Sequence, residues 1–337
     1  MSALSAFREG FARVNRAPLV LAGVWMLTLA VSLPLALGLR GMIADHLGAS
    51  MAADTAASGV NLEWMQEFRE QASGIGVTLR PTVVGFGAVL DNLSAFIDDT
   101  TRPVVIVAAA GAYIVLWLFF AGGIIDRYAR DRSTHAYGFF SACGVFFFRF
   151  LRLGAVQWLV YAFLFGPMHD WLFGNLYFGM IHDVSVERTA FFARAVLYAV
   201  FGVVLCACAV IFDYAKVRAV VEDRRSALGA ISAAVGFIRR NCAAALTLFA
   251  VDLLVFAAVI GLYAMTAPGV GGAGPSMWAA FGLGQLYVLA RLWTRLAFWA
   301  SETALFQSRL AHAGFVARPE PVWPDSPAAE AITPLLR

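Results

Sequence analysis

The sequence predicts an all-α integral membrane protein with six transmembrane helices, arranged as three repeats of an amphipathic helix followed by a helical hairpin. Three observations carry this reading. The 337 residues are 61% hydrophobic and 14% charged, with a mean hydropathy of +0.74, whereas soluble domains carry about 25% charge. Apolar runs near 17–39, 103–125, 154–175, 192–213, 243–266 and 277–300 reach the roughly 18 residues that a spanning helix needs. Residues 10–15 (GFARVN) and 236–241 (GFIRRN) are near copies, each standing just before such a run. A weaker relative, 146–152 (FFFRFLR), stands before another.

Lipid offers the backbone no hydrogen bonds, so only helices and closed barrels cross it. The runs lack the alternation of barrel strands, and helices are therefore expected. The first span is not read as a cleaved signal peptide, because its apolar run is too long and no small-x-small site follows it. Orientation comes from the basic residues beside the spans. The N-terminal stretch carries Arg8, Arg13 and Arg16. Arg127, Arg130, Arg132, Arg149 and Arg152 lie between spans two and three. Lys216, Arg218, Arg224, Arg225, Arg239 and Arg240 lie between spans four and five. The segment 40–102 is instead rich in acids (Asp45, Asp54, Glu63, Glu67, Glu70, Asp91, Asp98, Asp99), and 267–276 has no charge. Both termini are thus expected on the cytoplasmic side of the membrane.

The connections are not plain loops. In 226–240, Leu228, Ile231, Val235 and Ile238 recur at three- and four-residue spacing, the pattern of an amphipathic helix. Ser226 or Asp223 could cap it. The stretch 133–151 is rich in Phe and is read as a second surface helix. In 40–102, Leu62, Trp64, Met65 and Phe68 form one face and Val84, Phe86, Val89, Leu90, Leu93 and Phe96 another, with Gly74, Gly76 and Pro81 between. These are expected to build an extracytoplasmic helical cap. Residues 1–315 form the membrane domain, and the Pro- and Ala-rich 316–337 is expected to be a disordered cytoplasmic tail.

The candidate functional residues are charges in unusual places. Asp126, Asp213 and Glu302 stand at the cytoplasmic ends of the returning spans, where a carboxylate opposes the helix dipole unless a cation is near. Arg13, Arg149 and Arg239, at the entrances to outgoing spans, are the expected partners. The alternative is three solvated charges worth less than about 1 kcal/mol each. Asp252 lies inside span five, and Arg291 and Arg295 lie on one face of span six. Counted inward from the cytoplasmic ends, Asp252 and Arg291 each sit about nine residues, or roughly 14 Å, deep. An unpaired charge there costs about 3 kcal/mol, so the two are expected to pair. Such a pair is either structural or the lining of a polar pathway.

Other chemistry finds no support. There is no Walker A loop, HExxH, GxSxG or GxGxxG, and the glycines of 269–274 (GVGGAG) follow no strand. Cys143, Cys206, Cys208 and Cys242 fall in spans or on the cytoplasmic side, so no disulfide framework is expected. The dipeptides His169-Asp170 and His182-Asp183 lack further ligands at metal-binding spacing. Neither a metal nor a cofactor is expected. The basic residues are those that topology requires, and nucleic acid is not an expected partner.

An amphipathic helix ending in Phe-x-Arg-x-Asn or Phe-x-Arg-Arg-Asn before a span, repeated along a six-span chain, resembles uncharacterised bacterial integral membrane proteins. Among them is the membrane domain associated with glycerophosphodiester phosphodiesterases. The resemblance covers residues 5–310 and rests on 10–15, 236–241 and the layout. It implies the fold but no active site, since the catalytic domain of such fusions is absent, and the long 40–102 segment departs from the pattern. Two functions are therefore carried forward. One is a non-enzymatic scaffold or accessory subunit that meets a membrane-protein partner through its surface helices or cap. The other is a transporter or lipid-handling protein with a polar pathway near Asp252, Arg291 and Arg295.

Overall fold

The computed structural model describes residues 1–48, 50–80, 85–131, 134–267, 269 and 274–310. The 316–337 tail, Pro81 and most of the 269–274 turn lie outside the described residues. Helices α1 (Ala3–Asn15) and α2 (Pro18–Leu47) open the chain. Then come α3 (Ala53–Ser58), α4 (Leu62–Gln71), a 3₁₀ turn (Gly76–Thr78) and α5 (Phe86–Ile97). Next are α6 (Val104–Arg130) and α7 (Ala136–Phe163), two π-helical turns (Leu164–Met168, Asp170–Leu176) and α8 (Tyr177–Ile181). The chain continues through α9 (Glu187–Val221), α10 (Ala227–Arg240), α11 (Cys242–Thr266) and α12 (Pro275–Arg309). No strand occurs among the described residues.

Five stretches are long and apolar enough to cross a membrane: α2, α6, the continuous Ala136–Ile181, α9 and α11. The molecule is an all-α protein with the makings of a multipass membrane protein. Helix α12 is as long as α9, at 35 residues, but Arg291, Arg295 and Glu302 make it more polar.

Local chemistry sets the boundaries. Pro18 opens α2, where its missing N–H is no loss. Ser226 caps α10 by accepting from the Gly229 N–H at 3.2 Å, and Asn61 caps α4 by accepting from Trp64 N–H at 3.0 Å. Asp131, in the left-handed region at φ 47°, ends α6. The Phe-rich 133–151 is not a separate surface helix. From Ala136 onward it is the start of α7, since no breaker intervenes before span three. The ladder changes only at the π-helical turns around Pro167, which has no N–H to give.

The bundle is tight at one end and loose at the other. At the packed base, residues 121–129 of α6, 212–221 of α9 and 299–307 of α12 are buried on every side. The three helices touch one another there, and each is sheathed by a different neighbour: α1 covers α12, the start of α7 covers α6, and α10 covers α9. Small residues allow the approach. A Cβ on Gly10 would come within 2.5 Å of the Ser301 backbone, and one on Gly122 within 2.7 Å of Phe146 Cβ. Away from the base, apolar side chains such as Leu19, Met26 and Leu33 of α2 and Val104 and Val107 of α6 are exposed, as suits faces meant for lipid.

At the loose end, Trp64, Met65 and Phe68 of α4 bury against Leu39, Met42, Ile43 and Leu47 at the end of α2. Trp64 Nε1 donates to His46 Nδ1 at 3.0 Å. Leu62, expected on that face, is exposed instead, as are Leu90, Leu93 and Phe96 of α5. After α5, Ile97 and Asp98 are held by the π-helical segment and α9. His169 Nε2 meets the Ile97 carbonyl at 3.0 Å, which gives that histidine a structural role. The Tyr198 hydroxyl donates to Asp98, and that hydrogen bond holds the Asp98 carboxyl below its ordinary value.

Candidate functional site

The packed base gathers most of the buried charge, and its centre lies where α9, α11 and α12 meet. Asp213 of α9, 3% exposed, is the best-satisfied group. Arg295 of α12 grips it with both guanidinium nitrogens, Nη1 to Oδ2 at 2.9 Å and Nη2 to Oδ1 at 3.0 Å. Lys216 Nζ, one helical turn on, donates to Oδ1 at 3.0 Å, and Trp299 Nε1 adds a third contact to Oδ1 at 3.2 Å. Both cations also lie over the Trp299 ring. A two-pronged Arg–carboxylate contact is the strongest ion-pair geometry available to side chains.

Asp252 of α11 and Glu302 of α12 are treated differently. Each is 2% exposed. Asp252 Oδ2 accepts from Ser301 Oγ at 2.8 Å, while Asp252 Oδ1 and Glu302 Oε2 have no hydrogen-bond partner among the described residues. Glu302 lies within electrostatic reach of both Asp213 and Asp252. The Tyr214 hydroxyl, 1% exposed and also without a partner, lies within reach of Glu302 and Asp252. Three buried carboxylates thus face two cations, and both cations are engaged by Asp213.

Around this centre, polar side chains tie the sheath to the core. Arg13 of α1 donates to the Tyr128 carbonyl and to Gln307 Oε1, each at 2.9 Å, and Gln307 Nε2 donates to the Ala129 carbonyl at 2.9 Å. Two residues from distant helices thus satisfy carbonyls that the end of α6 leaves open, with the cation placed where the helix dipole favours it. Arg218 of α9 bonds the Ala233 carbonyl of α10 and Glu222. Burial pushes the Glu222 carboxyl up, but hydrogen bonds from Arg218 and Arg224 outweigh it and hold the group below its ordinary value.

The sequence-predicted residues therefore meet different partners. Asp252 does not pair with Arg291. It is level with Ser301, ten residues and about 15 Å further along α12. The error lies in the depth reference, because α12 continues to Arg309 instead of ending near 300. Arg291 is exposed and lies over the Phe256 and Tyr287 rings, 5.8 Å from each centroid. The acids do not take Arg13, Arg149 and Arg239 as partners. Asp126 pairs with Arg130 of its own helix at 2.7 Å, Arg149 pairs with Asp223 at 2.5 Å, and Arg239 is exposed. Asp126 sits about one turn, and Asp213 and Glu302 about two turns, inside the helix ends, so Arg13 reaches the Tyr128 carbonyl and Arg149 reaches Asp223 instead. Arg295 alone joins two predicted groups, the span-six cations and the boundary acids.

Sequence reasoning missed Lys216, Trp299, Ser301, Tyr214 and Gln307. One signal was available: Lys216 is the only lysine in the chain and stands three residues after Asp213, one turn away on the same face. No group of His, Cys, Asp and Glu among the described residues is arranged to hold a metal. Comparison with protein-family models, with curated proteins and with solved structures gives no match for this chain.

Proposed function

We propose that the chain is a six-span protein of the bacterial inner membrane, with both termini cytoplasmic, that moves a solute or lipid by means of the charge cluster at its base. Helix α12 is its sixth span. The three sheathing segments precede the outgoing spans, and the three buried ends belong to the returning spans. Each sheath covers the returning helix of the preceding unit, and α1 closes the cycle on α12. That cyclic order supports a threefold repeat, with partners exchanged between units.

One observation carries the transport reading: Asp213, Asp252 and Glu302 are buried together where the helices converge, and only Asp213 is matched by cations. Ionisable residues inside membrane bundles are costly, and mark ion pathways and substrate routes. The scaffold reading loses support because the surface helices are already used. The narrow face of α1 (Ala3, Ala6, Gly10, Val14) is buried in the bundle, as are Ala230, Ala234 and Phe237 of α10.

Native mass spectrometry of the protein gently extracted from its own membrane tests the proposal. A single chain that retains one small molecule or lipid, and loses it in Asp213→Asn, supports transport. A stoichiometric protein partner with no retained molecule overturns it and returns the scaffold reading.

A further inference from the structure

We infer that Arg291 receives the anionic group, a carboxylate or phosphate, of the molecule this protein moves. The inference rests on the transport reading above and names the class of its substrate. Helices α9 and α11 each pack on α12 but not along one another, so a gap runs between them with α12 at its back. The base closes the gap below. There Ser301 of α12 donates to Asp252 of α11 at 2.8 Å, and Phe237 of α10 packs on Tyr214 of α9 and Phe306 of α12, with centroids 5.2 and 5.0 Å apart. Above this floor, Arg295 leans toward α9 to grip Asp213, yet 40% of its side chain stays exposed. Arg291, one turn up, leans toward α11 and lies over Phe256. The strip of α12 that carries both arginines therefore looks into the gap.

Arg291 is the open group on that strip. It is exposed, and among the described residues it forms no ion pair. Asp213, the next acid down the gap, is already held by Arg295 and Lys216. Asp252 is level with Ser301, about 15 Å further along α12. Phe256 and Tyr287 flank the guanidinium, each centroid 5.8 Å away, and Tyr287 is braced by Tyr263, stacked on it at 4.1 Å. The rings steady the cation through their faces and leave its planar fork of N–H donors for an oxygen acceptor. The Tyr287 hydroxyl is also without a partner among the described residues. An uncompensated charge at this depth is costly, and a two-oxygen anion matches the fork. The opposite wall offers a probe. Cys206 stands seven residues before Asp213, two turns up the same face of α9, and α9 and α12 run parallel into the base. That puts Cys206 at the height of Arg291 across the gap, and it is only half-buried.

Charge-selective thiol labelling of the full-length protein in phosphatidylcholine vesicles tests the site. Peptide mass spectrometry follows Cys206 with two methanethiosulfonates, one bearing a sulfonate and one a trimethylammonium group. Arg291→Gln should lower the preference for the sulfonate at Cys206 by about tenfold, the low end of what a charged cleft adds to local counter-ion concentration. Arg291→Lys should keep most of it. In the wild type, protection of Cys206 by inorganic phosphate or acetate supports the site and makes its ligand a soluble anion. Protection on exchanging phosphatidylcholine for phosphatidylglycerol supports it and makes the ligand a lipid headgroup. These protections are read whether or not Arg291→Gln folds. The inference is overturned if neither reagent reaches Cys206, if the preference is the same in the wild type and Arg291→Gln, or if none of the three anions protects. It is also overturned if the molecule retained in native mass spectrometry is neutral or cationic, an outcome that leaves transport standing. A charge-selected, anion-protected Cys206 in a chain that carries a stoichiometric protein partner and no retained molecule would keep the anion site and discard transport, so the two readings fail separately.

Discussion

Arg295 and Asp213, 82 residues apart in sequence, meet through two parallel hydrogen bonds of 2.9 and 3.0 Å that join α12 to α9. Lys216 closes on the same carboxylate from one turn further along α9 itself. Asp213→Asn leaves both cations in a buried site without a counter-charge. The expected loss of stability is about 3–5 kcal/mol for breaking a buried pair, toward the lower figure because the Arg295 side chain is 40% exposed. Thermal unfolding in mild detergent measures it. Replacing Asp213, Lys216 and Arg295 together with apolar residues should recover most of the lost midpoint while abolishing retention of the bound molecule. A triple variant as unstable as Asp213→Asn would mean that the ion pair is not the source of the loss.

The two copies of the glycine motif should respond in opposite ways. Gly10 faces the Ser301 backbone at a distance no Cβ tolerates, while Gly236 has open space around it. Gly10→Ala should push α1 from α12 and cost about 1–3 kcal/mol. Gly236→Ala should stabilise by roughly 0.5–1 kcal/mol through helix propensity. Midpoints for the two variants in one detergent decide the matter, and equal shifts of the same sign would refute the close α1–α12 contact.

Acid should loosen the α9–α10 corner through Glu222. Its folded carboxyl holds a proton less tightly than the unfolded one because Arg218 and Arg224 bond the ionised form. The stabilisation is therefore complete above the ordinary value of 4.5 and is lost as pH falls through the lower folded value. Unfolding midpoints should decline below pH 4.5 in the wild type, and Glu222→Gln should start lower and decline less. A variant with the same slope as the wild type would place the acid response elsewhere.

Reporter fusions test the threading. Alkaline phosphatase fused within 53–58 should be active, and fusions after Arg224 or at the C-terminus should be inactive, as expected for an outer α3 and a cytoplasmic base. Activity after Arg224 would invert the whole arrangement.

Five of the six expected spans coincide with long apolar helices, because membrane burial writes itself into such runs, and the extent of α10 was legible because Ser226 caps it, although the buried face is Ala230, Ala234 and Phe237 and Leu228 is exposed. The second half of the reading needed distance information that a linear chain lacks. Asp252 and Arg291 were matched by counting from span ends, yet α12 overshoots its apolar run, so Asp252 meets Ser301 instead. The strings GFARVN and GFIRRN look equivalent, but Phe11 is 46% exposed and Phe237 is 2% exposed. The two helices are turned differently against their neighbours, and letter identity does not encode that rotation. Lys216 was in plain view, but its value depends on Arg295 arriving from another helix.

Helix α1 is made well before α12, yet its seat is on α12, with Arg13 bonded to Gln307 across 294 residues of sequence. Until α12 is inserted, Gly10 of α1 lacks the Ser301 backbone it packs on and the Ala129 carbonyl at the end of α6 lacks its Gln307 donor. A chain halted before α12 therefore leaves α1 without its main seat, so the two helices, far apart in sequence, complete the base together.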